Sequence, residues 1–521
     1  MKNRVYLFYG ILAIGLLFLL ARLFELQIIF GARNRALAEG NRIKREILPA
    51  PRGLIYDSKE RELVRNVPIY RVKKEGKEEY EVISREEALK MEARGETENL
   101  RVDIGRNYLY GEVLAHVLGY LGEANEEEVK KNQFKLGDLV GRGGIEEQYD
   151  SYLRGQNGGE IYEVDAHGEK IREIGRVEPI PGKNLYLTLD AELSQIAYEA
   201  LEGKPGAVVA TNPQNGQVLI LISSPSFNPN NITSQNLIDE SLPFFNRAIS
   251  GVYPPGSTFK IVTAAAGLEE GKVNAETTYN DTGEIRVGDY SYKNWYFTQY
   301  GQTEGVINIV KAIKRSTDTF FYKVGEWVGP TRLAAWAEAF GLGQKTEIDL
   351  PGEVKGLVPS PALKEKNGDR WFLGNTYHFA IGQGDLLTTP LQINLMTNVI
   401  ANEGQLCQPR IKEEENKEKR ECQNLKLKTD TINLIKEGMA GVCSAGGTAY
   451  PFFDFQPPVG CKTGTAEFGD PEEKTHAWLT AFGPLENSEI SVTVLVEKGG
   501  EGSAVAAPIA KKIMENFFKN D

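Results

Sequence analysis

The sequence predicts an α/β (α+β) fold in which one antiparallel sheet packs between helices, preceded by a smaller α+β module and one membrane-spanning helix. Three observations carry this. The run GAVVATNPQNGQVLILIS, residues 206–223, has two β-branched stretches around Pro213 to Gly216 and reads as a β-hairpin. VGCKTGTAEF, HAWLTAFGP and ISVTVLVEK, far downstream, read as three more strands separated by turn residues. The stretch Val5 to Leu20 carries no charge in 16 residues, and no later segment is apolar enough to span a bilayer.

The elements follow in order. Residues 1–4 form a short tail and 5–27 an anchor: the charge-free run reaches spanning length if Arg22 snorkels to the interface. A cleaved leader fits poorly, since the nearest small-residue triplet follows Arg33 and Arg35, far past the apolar run. The flanking charges (Lys2 and Arg4 before, Arg33, Arg35, Arg42, Lys44 and Arg45 after) would by simple counting leave the body in the cytoplasm. A long C-terminal domain translocates largely regardless of such charges, so the count does not decide orientation. Residues 28–180 are charged, glycine-punctuated and irregular in period, with a strand and helix in EEYEVISREEALKMEARGETENLR and a helix between glycine breaks in GRGGIEEQYDSYLRG. Residues 181–521 form the larger domain. Its first helix is capped by Asp190, with Leu193, Ile196, Ala197, Ala200 and Leu201 on one apolar face. Its last runs from about Ala504 to Phe518.

Composition narrows the function. A net charge of −12 argues against a nucleic-acid partner. The four cysteines form no C-x-x-C pair and the four histidines are scattered, so a zinc site has little support. Cys407 and Cys422 bracket a charge run, residues 408–421, that reads as a solvated hairpin tip and would bring the two thiols within bonding range. Cys443 and Cys461 have no comparable local reason to pair.

Three short motifs carry chemistry. In YPPGSTFKIV, two prolines and a glycine precede Ser257 at a helix start, and Lys260 lies one turn on. In KRSTDTFFYKVG, Ser316 and Asp318 stand at the start of an aromatic helix. KTGTA, Lys462 to Ala466, lies on a strand. Each alone has a bland reading as a cap, a packing point or a bulge. Together, in the order S-x-x-K, S-x-D, K-T-G, they form a variant of a known acyl-transfer signature. A serine hydroxyl needs a base to act as nucleophile, and an ordinary lysine is neutral only about a few parts in ten thousand at pH 7. Half-neutralising Lys260 takes roughly 4 kcal/mol from burial and neighbouring positive charge, which Lys462 can supply. Ser316 can then relay a proton. The small residues of KTGT would let a substrate backbone lie along the strand, and the backbone N–H groups of Ser257 and Thr465 would form an oxyanion hole.

With these residues the chain resembles a class B penicillin-binding protein of the elongation type (penicillin-binding protein 2). The likeness extends through PRGLIYD, HVLGYLGE, GDLVGRGGIEEQYDSYLRG, FNRAISGVYPPGSTFK, GNTYHFAIGQGD, IGQGDLLTTPLQ and CKTGTAE. It implies a serine D,D-transpeptidase domain on a pedestal, outside the cytoplasmic membrane, that cross-links peptidoglycan stem peptides, is inhibited by β-lactams and can show D,D-carboxypeptidase side activity. It implies Ser257 as the acylated residue, Lys260 as base, Ser316 and Asp318 in the proton network, and Lys462, Thr463, Gly464 and Thr465 on the donor peptide. It also implies a membrane glycosyltransferase of the RodA type as partner. No cofactor is expected. Some relatives hold a zinc between the first two motifs, but Tyr279 to Lys314 has no His or Cys, so no metal is expected here. A division-type transpeptidase and a non-catalytic β-lactam-binding sensor are the alternatives. Against a hydrolase, Glu347, Asp349 and Glu353 lie in a turn-rich stretch with no evident reason to face Ser257.

Overall fold

The computed structural model describes residues 2–73, 80–96, 100–131, 134, 138–165, 170–413 and 422–519; the side chains of residues 36–41 fall outside this description, as do residues 414–421, most of the charge run between Cys407 and Cys422. The chain divides into two compact units that interleave along the sequence. The first comprises residues up to 53, 66–105 and 151–183, and the second 54–65, 106–150 and 184–521.

In the first unit, a helix over Lys2–Phe24 continues through Glu25–Ile29. Its 28 residues are long and apolar enough to cross a membrane. Beyond it, Gly158–Val164 pairs antiparallel with both Ile43–Leu48 and Lys170–Val177 in a three-stranded sheet. Tyr80–Ile83 is the expected strand, and the helix Arg85–Ala93 follows it. Ser84 and Glu87 close a capping box there, which fixes where that helix begins.

The second unit is built on the predicted antiparallel sheet. Helix α1 (Ala191–Ala200) leads in, with Asp190 Oδ1 accepting from Glu192 N at 3.0 Å and Leu193 N at 3.1 Å. Leu193, Ala197 and Leu201 of its apolar face are buried. Strands β1 (Gly206–Thr211) and β2 (Val218–Ser224) form the hairpin. The chain then runs through α2 (Lys260–Glu269), α3 (Ile309–Arg315), α4 (Asp318–Val328), α5 (Pro390–Ala401) and α6 (Thr429–Val442). It returns to the sheet as β3 (Gly460–Glu467), β4 (Thr475–Gly483) and β5 (Ile490–Val496), and ends in α7 (Ala506–Lys519). The strand order is β2-β1-β5-β4-β3, so β3, which carries K-T-G, is an edge strand.

The sheet has two different faces. Ser491 and Thr493 of β5 turn toward α5, and Val492 and Val494 alternate to the face that packs against α7. The α5 face is polar but satisfied. Thr211 Oγ1 donates to Asn394 Oδ1 at 2.6 Å, Asn398 Nδ2 to Thr211 Oγ1 at 2.7 Å, and Thr397 and Thr480 hydroxyls meet at 2.7 Å. Such a network tolerates one register only, because a one-residue slip would turn apolar side chains onto the amides of Asn394 and Asn398. One expectation changes. The helix read in GRGGIEEQYDSYLRG is two short helices, Gly144–Gln148 and Asp150–Leu153. The break falls at Tyr149, whose φ and ψ of −113° and 24° leave the helical region, and its hydroxyl donates to Asp349 Oδ2 at 2.8 Å.

Candidate active site

The prolines and glycine before Ser257 form a turn held on all sides. Tyr253 and Thr388 exchange two backbone hydrogen bonds of 2.9 Å. Pro254 O accepts from Trp478 Nε1 at 3.1 Å and Pro255 O from Thr258 Oγ1 at 2.8 Å. Gly256 N donates to Gly382 O at 2.9 Å. Gly256 sits at φ +55°, and a Cβ on it would stand 2.9 Å from Thr465 O. Gly382 is at φ +77°, where a Cβ would meet Gly256 O at 2.0 Å. Both positions therefore require glycine. Ser257 follows in a single 3₁₀ turn, Gly256–Phe259, that runs into α2 at Lys260. The Ser257 hydroxyl has no hydrogen-bond partner among the described residues, and the residue is half-buried.

Below it lies a chain of polar contacts. α2 is enclosed by its neighbours, and Lys260 is fully buried within it. Lys260 Nζ donates to Asp318 Oδ1 at 2.6 Å, Ser316 O at 2.8 Å and Ser316 Oγ at 3.2 Å. The same Ser316 Oγ accepts from Lys462 Nζ at 2.9 Å. Lys462 is also fully buried, and its other partner is Thr463 O at 2.9 Å. The three motifs thus meet at one hydroxyl. Ser316 does not open the aromatic helix as the sequence suggests. It closes α3 in a left-handed conformation, φ +56°, while Thr317 is the residue before α4 and Asp318 its first. The turn forms because Ser316 N and Thr317 N bond back to Ile313 O and Ala312 O, the usual way a helix end satisfies its last carbonyls.

The electrostatics also differ from expectation in one respect. Burial lowers the pKa of Lys260, against which the Asp318 carboxylate works. Lys462 is pushed well below the ordinary lysine value by burial and by the Lys260 charge, with Asp318 opposing. Lys462 is therefore the more strongly depressed of the two, rather than the fixed cation that depresses Lys260.

β3 completes the site. Gly464 does not leave room for a ligand; a Cβ there would stand 3.0 Å from Pro255 O and from Trp478 Cβ and 3.1 Å from Thr258 Cγ2, so glycine lets the strand lie on the Ser257 turn. Thr463 is buried and its hydroxyl meets that of Thr448 at 2.7 Å, whereas Thr465 is exposed. Behind Lys462, Cys461 is bonded to Cys443 at the end of α6, with Cα atoms 5.7 Å apart. Cys407 and Cys422 are bonded as well, directly opposite each other in a two-stranded ladder. Two of the three acidic residues named after the second motif are committed elsewhere. Asp349 accepts from Tyr149 Oη, Ile411 N and Lys412 N, and Glu353 from Thr346 and Glu347. Sequence reasoning missed Gly382, Thr448, Asn294 and Trp295. All reach the site from distant segments, and only the glycines of IGQGD gave any local signal.

Comparison with known proteins agrees with this geometry. Residues 206–515 match the model of the penicillin-binding protein transpeptidase domain, and residues 76–187 that of the penicillin-binding protein dimerisation domain. The chain is 31% identical to the peptidoglycan D,D-transpeptidase MrdA of Acinetobacter baumannii, over 99% of this chain and 88% of that protein. It is 34% identical to MrdA of Escherichia coli over 80% of this chain and 71% of that one. Among solved structures it is similar to penicillin-binding protein 2 of Helicobacter pylori in complex with MreC, at 28% identity, with a TM-score of 0.81 over 92% of this chain and 99% of the other. It is also similar to a chain of a peptidoglycan synthase complex that coordinates polymerisation and crosslinking, at 30% identity, with a TM-score of 0.81 over 100% of this chain and 99% of the other. With the motif trio gathered at one hydroxyl and a family match across most of its length, the chain belongs to the penicillin-binding proteins, with a transpeptidase domain and a penicillin-binding-protein dimerisation domain.

Proposed function

We propose that this protein is an elongation-type peptidoglycan D,D-transpeptidase acting through an acyl-enzyme on Ser257. The observation that carries this is the buried chain Lys260–Ser316–Lys462, which begins one turn after Ser257, whose hydroxyl has no partner among the described residues. Ser257 Oγ attacks the carbonyl of the penultimate D-alanine of a stem peptide. The ester forms, the peptide bond breaks, and the departing D-alanine amine takes the proton that Lys260 removed from the serine, passed on through Ser316. A second stem peptide's amine then attacks the ester, giving the cross-link and restoring the serine. Thr465, exposed on the edge strand β3, lies along the donor, with Thr463 and Gly464 holding that strand against Thr448 and the Ser257 turn, and the Ser257 and Thr465 N–H groups receive the developing oxyanion, each such donor being worth about 3 kcal/mol. A β-lactam acylates the same hydroxyl, but its ring nitrogen stays tethered. Similarity to the MrdA relatives and to the synthase-complex chain supports the elongation type and a partner that polymerises peptidoglycan, which the motif resemblance expects to be a RodA-type glycosyltransferase, and the apolar N-terminal helix supports a single-pass anchor, with the catalytic unit outside the cytoplasmic membrane.

The test is covalent labelling by fluorescent penicillin. Ser257→Ala abolishes it, and Lys260→Ala loses nearly as much, since the two act as a unit. With Asp349 and Glu353 engaged elsewhere, the adduct on the parent protein persists for many minutes. Labelling of Ser257→Ala, or rapid nitrocefin turnover, refutes the assignment.

A further inference from the structure

Between the first two motifs the chain makes an excursion, residues 279–307, that no part of the proposed reaction uses. It is built from the paired strands Tyr279–Asp281 and Gly305–Ile307, a hairpin over Glu284–Val287 and Tyr290–Lys293, and a short helix, Trp295–Tyr300. Two of its polar residues are buried completely. Asp281 is 1% exposed and Asn294 0%.

Asn294 is the residue before a helix, where an asparagine side chain ordinarily caps the first turn. Here it makes no cap hydrogen bond. Its side chain is spent in the opposite direction. Asn294 Oδ1 accepts from Asp318 N at 3.1 Å, and Asn294 Nδ2 donates to Asp281 Oδ2 at 3.1 Å. Asp281 accepts three further bonds, from Glu304 N at 2.8 Å, Gly283 N at 3.0 Å and Thr319 Oγ1 at 2.7 Å. All four of its donors are uncharged, so the carboxylate is oriented by geometry rather than by a salt bridge. The next residue grips the second motif twice more. Trp295 N donates to Asp318 Oδ2 at 2.9 Å, and Trp295 Nε1 to Arg315 O at 2.9 Å, immediately before Ser316. One Asp318 oxygen is thus fixed by Trp295 while the other faces Lys260.

We propose that Asn294, backed by Asp281 and continued by Trp295, is a positioning residue for acylation: it aims the Asp318 carboxylate at Lys260 and holds the Ser316 hydroxyl between the two lysines. The excursion is a brace for the second motif, and a buried Asp–Asn pair is its keystone. Its geometry matters because a carboxylate that rotates away frees Lys260 from its partner and moves Ser316, and misplacement of about 1 Å in such a constellation can cost on the order of 10²-fold in rate. The proposal rests on the roles given above to Lys260, Ser316 and Asp318.

The experiment measures the second-order acylation constant of the full-length protein with fluorescent penicillin, normalised to the fraction that labels at saturation. That normalisation removes any loss of folded protein. Asn294→Ala is expected to acylate on the order of 10²-fold more slowly, and Trp295→Phe, which keeps the ring and the backbone N–H but loses the bond to Arg315 O, several-fold more slowly. Asn294→Asp sets two carboxylates against each other and is expected to be slow. The double change Asp281→Asn with Asn294→Asp restores a donor–acceptor pair and should recover about tenfold over Asn294→Asp alone, a rescue that loss of packing would not show. If Asn294→Ala yields no folded protein, Trp295→Phe decides. Rates within about threefold of the parent for Asn294→Ala, or unchanged for Trp295→Phe, overturn the proposal. Labelling that survives Ser257→Ala is a separate failure, of the nucleophile assignment.

Discussion

Asp318→Asn tests the electrostatic core of the site. Among the described residues, Asp318 is the only carboxylate paired with either buried lysine. At the observed 2.6 Å, an effective dielectric constant of about 20 gives a gross attraction of roughly 6 kcal/mol to Lys260. Desolvation offsets part of that, and removing one partner of a buried pair typically costs about 3–5 kcal/mol because the other charge is left uncompensated. The amide also turns an N–H toward Trp295 N, which donates to Asp318 Oδ2 in the parent. The pH dependence has a definite sign. Burial already lowers Lys260, and Asp318 is the group working against it, so the variant's Lys260 is depressed further. Between that depressed value and the ordinary lysine value the unfolded chain binds more protons than the native one. Stability therefore rises with pH across that window, and the cost is full below it. Because the parent's Lys260 is lowered as well, the two curves differ in slope only between the variant's value and the parent's, and the expected result is a deficit of about 3–5 kcal/mol below that interval that narrows as pH rises through it, read by urea unfolding of parent and variant at several pH values. A variant within about 1 kcal/mol of the parent at every pH, or a deficit that widens as pH rises, refutes this account.

Two other outcomes follow from the same structure. The Cys407–Cys422 and Cys443–Cys461 bonds close loops of 15 and 18 residues, so replacing either pair by serine should cost about 3 kcal/mol; peptide mapping that finds free thiols in protein from an oxidising compartment contradicts both bonds. His116 is buried between Pro243 O at 2.8 Å and Ser226 Oγ at 3.3 Å, and burial drives its pKa from 6.5 to about 4. Its neutral form is thus a source of stability present above pH 6.5 and lost as pH falls toward 4, worth about 3 kcal/mol in all, and a His116→Gln variant whose stability falls as steeply as the parent's over that range would exclude it.

What was legible in the sequence was what local spacing encodes. Ser257 and Lys260 share a turn, the β-branched runs name five strands, and Asp190 caps a helix; each depends on residues within one or two turns of chain. The Cys407–Cys422 bond was legible for the same reason, since a hairpin places its flanks opposite each other. The Cys443–Cys461 bond was not, because it ties a helix end to an edge strand and only tertiary packing brings these together. Asn294 was invisible on similar grounds. In sequence it is an ordinary helix-start asparagine, and its value comes from Asp281 and Asp318, 13 and 24 residues away. The glycine of K-T-G was read for the right residue and the wrong reason. The structure gives it to contact with Pro255 and Thr258 rather than to a ligand.

The balance of charge explains why an aspartate suits the second motif. Two amines are buried within hydrogen-bonding reach of Ser316 Oγ, and one of them, that of Lys260, is paired with the buried Asp318 carboxylate. With both lysines protonated the pocket would hold a net positive charge away from water, at a cost of several kcal/mol. With Lys462 neutral and Lys260 paired to Asp318 the net charge is zero. The geometry favours that state, since Asp318 Oδ1 lies 2.6 Å from Lys260 Nζ while, among the described residues, the Lys462 amine meets only the neutral Ser316 Oγ and Thr463 O. In the proposed reaction Lys260 has to lose its proton before it can take one from Ser257, and Ser316 Oγ, 3.2 Å from one amine and 2.9 Å from the other, is the group through which the proton can pass to Lys462. The transfer separates Lys260 from its role as counter-ion and places the charge on Lys462 of β3, the strand along which the donor is proposed to lie. An amide at position 318 would leave both amines without a counter-charge at rest. The carboxylate lets one of them hold the proton at low cost while Ser316 keeps the other in reach.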